Sequence, residues 1–238
     1  MRTTLAVLVA LLVPRADEKD DLKKAYERTA GLKSYFYQWE LLTGVKDRVG
    51  KQAGAGEYVA PDLLTVRTGI LEVVKKGERS RVRATKGWED PGDDPKLKDA
   101  ADRLTPPHEL VGYVIESLEK PKREKDAELR KVKCRAWRGT LDGDGLKGLL
   151  RAGGGNLDAL EKLIDWKASK TSVQLLVEPA EGRLVKMTVE SDLVPDPKAE
   201  GGNGAPAVKM TRTVEFMELN AAKPSIVPEV REALGIKE

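Results

Sequence analysis

Residues 20–42 read DDLKKAYERTAGLKSYFYQWELL, and within them the spacing of apolar side chains changes from that of a helix to that of a strand. Leu22, Ala25, Tyr26 and Thr29 recur at helical intervals, and Gly31 stands where a left-handed cap would end the helix. From Tyr35 the period is two: Tyr35, Tyr37, Trp39 and Leu41 project to one face. Further amphipathic segments follow in GAGEYV (54–59), LLTVRTGI (63–70) and ERSRVRAT (78–85), with a turn at Ala60-Pro61-Asp62 and a turn-rich KGWEDPGDDP (86–95). One helix followed by an antiparallel meander predicts an α+β fold. The expected form is a curved antiparallel sheet or half-barrel with helices covering its concave face.

Beyond residue 95 the chain repeats these materials. Thr105 is placed to cap a helix beginning at Pro106, with Leu110, Val114 and Leu118 four residues apart. EKPKREKDAELRK (119–131) reads as a solvated connection or hairpin arm, and KVKCRAWRGTL (131–141) as a strand. LDGDGLKGLLRAGGGNLDALEKLIDWKA (141–168) is expected to hold a glycine-punctuated pair of short helices, the second a covering helix over 156–167 whose apolar side is built from Leu157, Leu160, Leu163, Ile164 and Trp166. TSVQLLVEPAEGRLVKMTVESDLV (171–194) predicts a hairpin turning at Pro179–Gly182, with Val185, Met187 and Val189 on one face. VKMTRTVEFMEL (208–219) is a further strand, and a last helix starts at Pro228 and ends at Gly235. The total is eight to ten strands and three to five helices in one domain, 17–238, preceded by a leader, 1–16.

DLKKAYERTAGLKSYFYQWE, the strand-turn-strand GEYVAPDLLTVRT and the KGW after the fourth strand together resemble the start of the LolA-like superfamily. That superfamily comprises periplasmic lipoprotein carriers and lipid-binding relatives of the LppX type. The likeness spans the first ninety residues and, more loosely, the C-terminal strands. It implies a ligand cavity under the sheet and a role in binding lipid or the acyl chains of a lipoprotein. In the carriers a basic residue before the turn proline gates the cavity; here that position is Ala60, so the device does not carry over.

Composition narrows the classes. The formal charge of +3 becomes +1 when the two arginines Arg2 and Arg15 leave with the leader. So small a charge, with 5% aromatic residues, excludes the basic stripe and stacking platform of a nucleic-acid binder. Arg2 and the apolar run Leu5–Val13 form a secretory signal too short to span a bilayer, with cleavage expected after Ala16. No cysteine follows that run, so the mature N-terminus is expected to be unlipidated. The expected compartment is the periplasm, with room for peripheral membrane contact. Cys134 is the single cysteine; alternating with Val132 and Ala136, it reads as a small buried residue rather than a reactive thiol.

Chemistry-bearing patterns are few. His108 is the one histidine, which leaves neither a zinc cluster nor a Ser–His pair with its orienter, and an exposed or locally bonded ring is expected. Asp142-Gly-Asp144-Gly opens like a calcium loop, but Gly153 stands where the twelfth-position acid belongs, so a turn is expected. Gly153-Gly154-Gly155 before Asn156 lacks the lysine of a phosphate loop. Arg79, Arg81 and Arg83, like Lys131, Lys133 and Arg135, line one strand face each: a solvated outer face, or a track for an anionic headgroup. No cofactor or metal is called for.

The apolar stripes Tyr35, Tyr37 and Trp39, and Leu64, Val66 and Ile70, are core or the lining of a ligand cavity. Leu110, Val114, Leu160 and Leu163 would close it from the helices. The resulting expectation is an exported envelope protein that binds a hydrophobic or amphipathic ligand without turnover. Two alternatives stand beside it: a scaffold or sensor binding another envelope protein, and a hydrolase using Glu89 or Asp90 beside Trp88.

Overall fold

The computed structural model describes residues 18–69, 71–84, 87–153, 157–199 and 202–237. In chain order the elements are α1 (Glu18–Ala30), β1 (Ser34–Val45), β2 (Arg48–Val59), β3 (Leu63–Thr68), β4 (Glu72–Lys76), β5 (Arg79–Ala84) and β6 (Gly87–Glu89). A 3-10 turn at Pro91–Asp93 leads to α2 (Pro95–Asp102), α3 (Pro107–Ser117), β7 (Glu119–Arg123), β8 (Ala127–Leu129), β9 (Val132–Thr140), α4 (Gly143–Ala152) and α5 (Leu157–Glu161). The chain closes with β10 (Ile164–Val177), β11 (Leu184–Pro195), β12 (Val208–Met217) and α6 (Pro228–Leu234).

The fold is α+β, a curved and unclosed antiparallel sheet in the order β6-β5-β4-β3-β2-β1-β12-β11-β10-β9-β7, with β8 added to β9. Period-two patterning puts a continuous apolar surface on one side. Tyr35, Tyr37, Leu64, Val66, Val173, Leu175, Met187, Val189, Val214 and Phe216 meet Leu22 and Ala25 of α1, Val111, Val114 and Ile115 of α3, and Leu146 and Leu149 of α4. At the β4–β5 end, Val73 and Val82 pack on Ala101 of α2. The first-to-last strand pairing, Phe36↔Met217 through Gly44↔Lys209, welds the two halves of the chain into one sheet.

Several details depart from the periodicities. There are twelve strands and six α-helices among the described residues, because β6, β7 and β8 are short and polar. Residues 164–167 belong to β10, and α5 stops at Glu161, so the second covering helix is much shorter than expected. Gly31 is not left-handed; its N–H bonds the Glu27 carbonyl at 2.9 Å and extends the helix, while Gly235 (φ 63°) caps α6 in that conformation. Thr105 does not cap α3; its hydroxyl donates to the Ala152 carbonyl at 3.4 Å, and Pro106 occupies the cap position. A register shift between Leu176 and Val177 turns Val185 to the opposite face, where it packs with Cys134, Ala136 and Leu176. The last helix, α6, also lies on that outer face, covering Val74 with Ile226, Val230 and Leu234.

Candidate functional site

Between the concave face of β1–β4 and β12 and the overlying α2, α3 and the end of α4 lies a cavity of about 270 Å³. Its walls are largely apolar: Tyr37, Trp39, Leu41, Val66, Leu71, Val73, Leu104, Leu110 and Val214. The volume sits at the lower edge of the roughly 300–1,000 Å³ typical of small-molecule sites.

Strand β2 shapes the wall by what it lacks. Tyr37 pairs with Gly56 and Trp39 with Gly54, so both rings can lie across the neighbouring strand. A Cβ at Gly54 would stand 2.7 Å from Trp39 Nε1, and one at Gly56 would stand 1.9 Å from the Thr65 carbonyl oxygen and 2.7 Å from Tyr37 Oη. The Tyr37 hydroxyl crosses that gap and donates to the Thr65 carbonyl at 2.8 Å. Burial pushes its pKa far up, so the phenol keeps its proton and its role as donor.

Two arginines, Arg212 and Arg103, reach this largely apolar wall. On β12, Met210, Arg212, Val214 and Phe216 share the concave side, and Arg212 lines the cavity. One of its nitrogens, Nη2, donates to the carbonyl of Gly153, the residue that ends α4, at 3.3 Å. Burial lowers its pKa from the ordinary arginine value, and among the described residues no acidic side chain offsets that effect. The guanidinium lies where any side chain at Gly153 would be, 1.6 Å from its would-be Cβ. Arg103, also on the wall, differs in being ion-paired to Asp99 at 2.8 Å.

Next to the cavity is an aromatic cluster. Tyr35 stacks on Tyr58 at 5.1 Å and meets Phe216 edge-on at the same distance. His108 is buried against both tyrosines rather than exposed, its Nδ1 2.6 Å from Tyr35 Oη. Burial lowers the imidazole pKa and raises that of the phenol, so both are neutral; Nδ1 is the acceptor in reach of the Tyr35 hydroxyl among the described residues, which assigns the imidazole proton to Nε2 and the donor role to the tyrosine. The signal for this partnership was in neither segment alone; it needs the fold to bring positions 35 and 108 together.

Of the residues expected to line a ligand site, the structure brings Tyr37, Trp39, Val66 and Leu110 to the cavity. Tyr35, Leu64 and Val114 are buried in the adjoining core, and Leu160 packs partly buried against it. Leu163 does not belong there: it is 46% exposed in the turn before β10, because α5 ends two residues earlier. Ile70 and residues 1–16 lie outside the described residues, as do Gly154, Gly155 and Asn156 of the glycine run. The structure adds α2, whose Ala100, with Leu104 just beyond its end, completes the wall, and Arg212.

The remaining candidates have structural employment. Arg79 donates to the Ala233 carbonyl at the end of α6, Arg81 pairs with Asp90 at 2.5 Å, and Arg83 with Glu72 at 3.6 Å. Asp90 caps the 3-10 turn by accepting from Gly92 N–H at 3.0 Å; that bond first, and Arg81 next, hold its carboxyl below the usual range. Trp88 packs on the α6 cluster. Lys131 occupies a left-handed turn position between β8 and β9, and Lys133 pairs with Asp126 at 3.7 Å. Asp142 caps α4, accepting from Gly145 N–H at 2.7 Å, so the DGDG stretch opens a helix rather than forming a free turn. Cys134 is buried, which raises its thiol pKa. Among the described residues no group of three or more His, Cys, Asp or Glu could hold a metal ion. No described helix is long and apolar enough to cross a membrane.

An unclosed antiparallel sheet wrapped over helices, with an apolar cavity between them, defines the LolA-like fold, and this chain has it. Among solved structures it is similar to the Mycobacterium tuberculosis lipoprotein LppX, with a TM-score of 0.55 and 13% identity over 88% of this chain and 97% of that one. LprF from Mycobacterium bovis follows at a TM-score of 0.45 and 12% identity, covering 88% and 96%. A LolA superfamily protein from Nitrosomonas europaea gives 0.34 and 9%, covering 87% and 94%. At 13% identity the first likeness establishes the fold alone, and the two lower-scoring ones add nothing to it. No protein-family model and no curated protein matches the chain.

Proposed function

We infer that this protein binds a hydrophobic or amphipathic ligand, a lipid or a lipoprotein's acyl chain, in the cavity between the sheet and α2–α4. The observation that carries this reading is the cavity itself: about 270 Å³ walled by Tyr37, Trp39, Leu41, Val66, Leu110 and Val214. Protein cores pack without voids much larger than a water molecule, and space of this size with a largely apolar lining supports a ligand-binding site. Transfer of acyl surface from water into it supplies the driving force, at roughly 25 cal/mol per Å² buried. In this reading binding occurs without turnover: of the two carboxylates beside Trp88, Asp90 is engaged as a cap and ion pair, and the histidine is held by Tyr35.

In the same reading residues 1–16 are a cleaved leader, residues 17–238 are the mature domain, and the compartment is the cell envelope outside the inner membrane. Native mass spectrometry of protein purified from envelope extract tests both parts. A co-purifying lipid mass and an N-terminus near Asp17 are expected; a protein partner in place of lipid would favour the scaffold reading instead. A charge at the wall should also abolish uptake of a neutral apolar fluorophore. Leu41→Glu, at a partly exposed wall position, keeps the fold and loses the site. Val66→Glu, at a nearly buried one, additionally lowers the melting temperature.

A further inference from the structure

We propose that the cavity is built for a single aliphatic chain ending in an anionic head, carboxylate or phosphate, and that Arg212 is the residue that receives that head. The proposal rests on the cavity reading above and names the class of ligand within it.

Arginine at this position breaks the pattern of its own strand. Met210, Val214 and Phe216 flank it on the concave side of β12 and are buried in the main core. A charged side chain on that face is costly unless paired, and nothing in the sheet requires it there. Even the half-exposed arginines of this wall and its neighbourhood have a carboxylate partner: Arg67 lies 2.8 Å from Glu72, and Arg103 lies 2.8 Å from Asp99. Among the described residues Arg212 has no such partner: its polar contact is the Gly153 carbonyl at 3.3 Å, and burial shifts its pKa down.

Capping α4 accounts for part of this arrangement, since a cation is stabilising at a helix C-terminus. It leaves most of the fork unused. A guanidinium carries five N–H donors in a planar array matched to the two oxygens of a carboxylate or phosphate. With one of them on a backbone carbonyl, the rest are available on a largely apolar wall whose other polar side chains include Gln52, Thr68, Thr105 and the ion-paired Arg103. Gly153 is part of the seat, because any side chain there would displace the guanidinium. An apolar channel with one unneutralised cation selects a chain with one negative end, and the small volume favours one chain over several.

The test uses the full chain, delipidated, with dodecanoate, dodecyl phosphate and dodecan-1-ol as probes in isothermal titration calorimetry. At least one anionic probe should bind about tenfold or more tightly than the alcohol, as a charge-assisted hydrogen bond warrants. Which anion does so identifies the source of the head. Arg212→Met should erase that preference while alcohol binding persists, and Arg212→Lys should restore part of it. Gly153→Ala keeps the charge but moves it, and should also weaken the preference, so the conclusion does not depend on the methionine variant folding. Equal affinity of alcohol and anions for the wild type overturns the proposal and leaves the apolar cavity standing. An anion preference that survives both Arg212→Met and Gly153→Ala overturns the role of Arg212. Failure of all three probes to bind overturns the proposal together with the cavity reading beneath it.

Discussion

At the scale of single residues, the chemistry of this protein lies in polar groups placed where the surrounding pattern is apolar. His108 is one. Its imidazole is buried against Tyr35 and Tyr58 and accepts from the Tyr35 phenol, so its pKa in the folded chain is depressed. As pH falls through the unfolded value of about 6.5, the unfolded chain takes up a proton that the native ring still refuses. The stability it contributes is therefore complete above that pH and is lost progressively below it, down to the lower folded pKa. The urea midpoint should fall between roughly pH 7.5 and 5.5, and His108→Asn should flatten the slope, there being no second histidine to share it. Gly56 is a second such residue. Gly56→Ala places a methyl 1.9 Å from the Thr65 carbonyl oxygen and should cost about 2 kcal/mol or more in chemical denaturation. Gly69→Ala, with open space around it, should change stability by less than about 0.5 kcal/mol. Arg212 was legible in principle: Met210, Arg212, Val214 and Phe216 alternate, and the alternation alone places a cation on the apolar face. The His108–Tyr35 contact was not, since sequence spacing holds no record of which distant ring a histidine meets.

At the scale of elements, legibility follows from how one-sided each segment is. β1, β3 and the β10–β11 hairpin alternate cleanly, and their faces follow from period two. α6 is announced by Pro228 and Gly235. α2 was hidden in a charged run that looks like a loop, although Asp94 before Pro95 is a helix start, its carboxylate accepting from Lys96 and Leu97 N–H. The opening of β10 was misread because Leu160, Leu163 and Ile164 keep helical spacing across what is a turn into a strand. Position relative to the main core also ranks the helices energetically. Leu149 of α4 is fully buried between sheet and α3, so Leu149→Ala should cost about 4–5 kcal/mol. Leu234 of α6 is nearly as buried but belongs to a four-residue cluster on the outer face, which can relax after truncation. Leu234→Ala should cost about 2–3 kcal/mol. Native-state hydrogen exchange should show α6 opening at lower free energy than α4. Equal losses at the two sites would mean that α6 is part of the central core after all.

At the scale of the molecule, the long pairing of β1 with β12 decides how the chain behaves as a whole. The N-terminal meander β1–β6 could have been a unit of its own, ending at the Pro/Asp-rich stretch after Trp88. Instead β1 hydrogen-bonds to the last strand over nine residue pairs, and the main core draws on Tyr35 and Leu64 from one half and Leu175 and Phe216 from the other. The cavity inherits this arrangement, having Val66 from the meander and Val214 from β12 on one wall. Neither half can bury its apolar face without the other, so neither should melt alone. Residues 17–238, the chain less its proposed sixteen-residue leader, should therefore unfold in one calorimetric transition. The expected enthalpy is about 150 kcal/mol near 60 °C, with calorimetric and van't Hoff values in agreement. Its midpoint should match that of the full-length chain, as expected if residues 17–238 are the whole folding unit of this reading. Two resolved transitions, or a van't Hoff enthalpy near half the calorimetric one, would show that the meander folds independently. A cavity walled by both halves would then be no more stable than the junction between them.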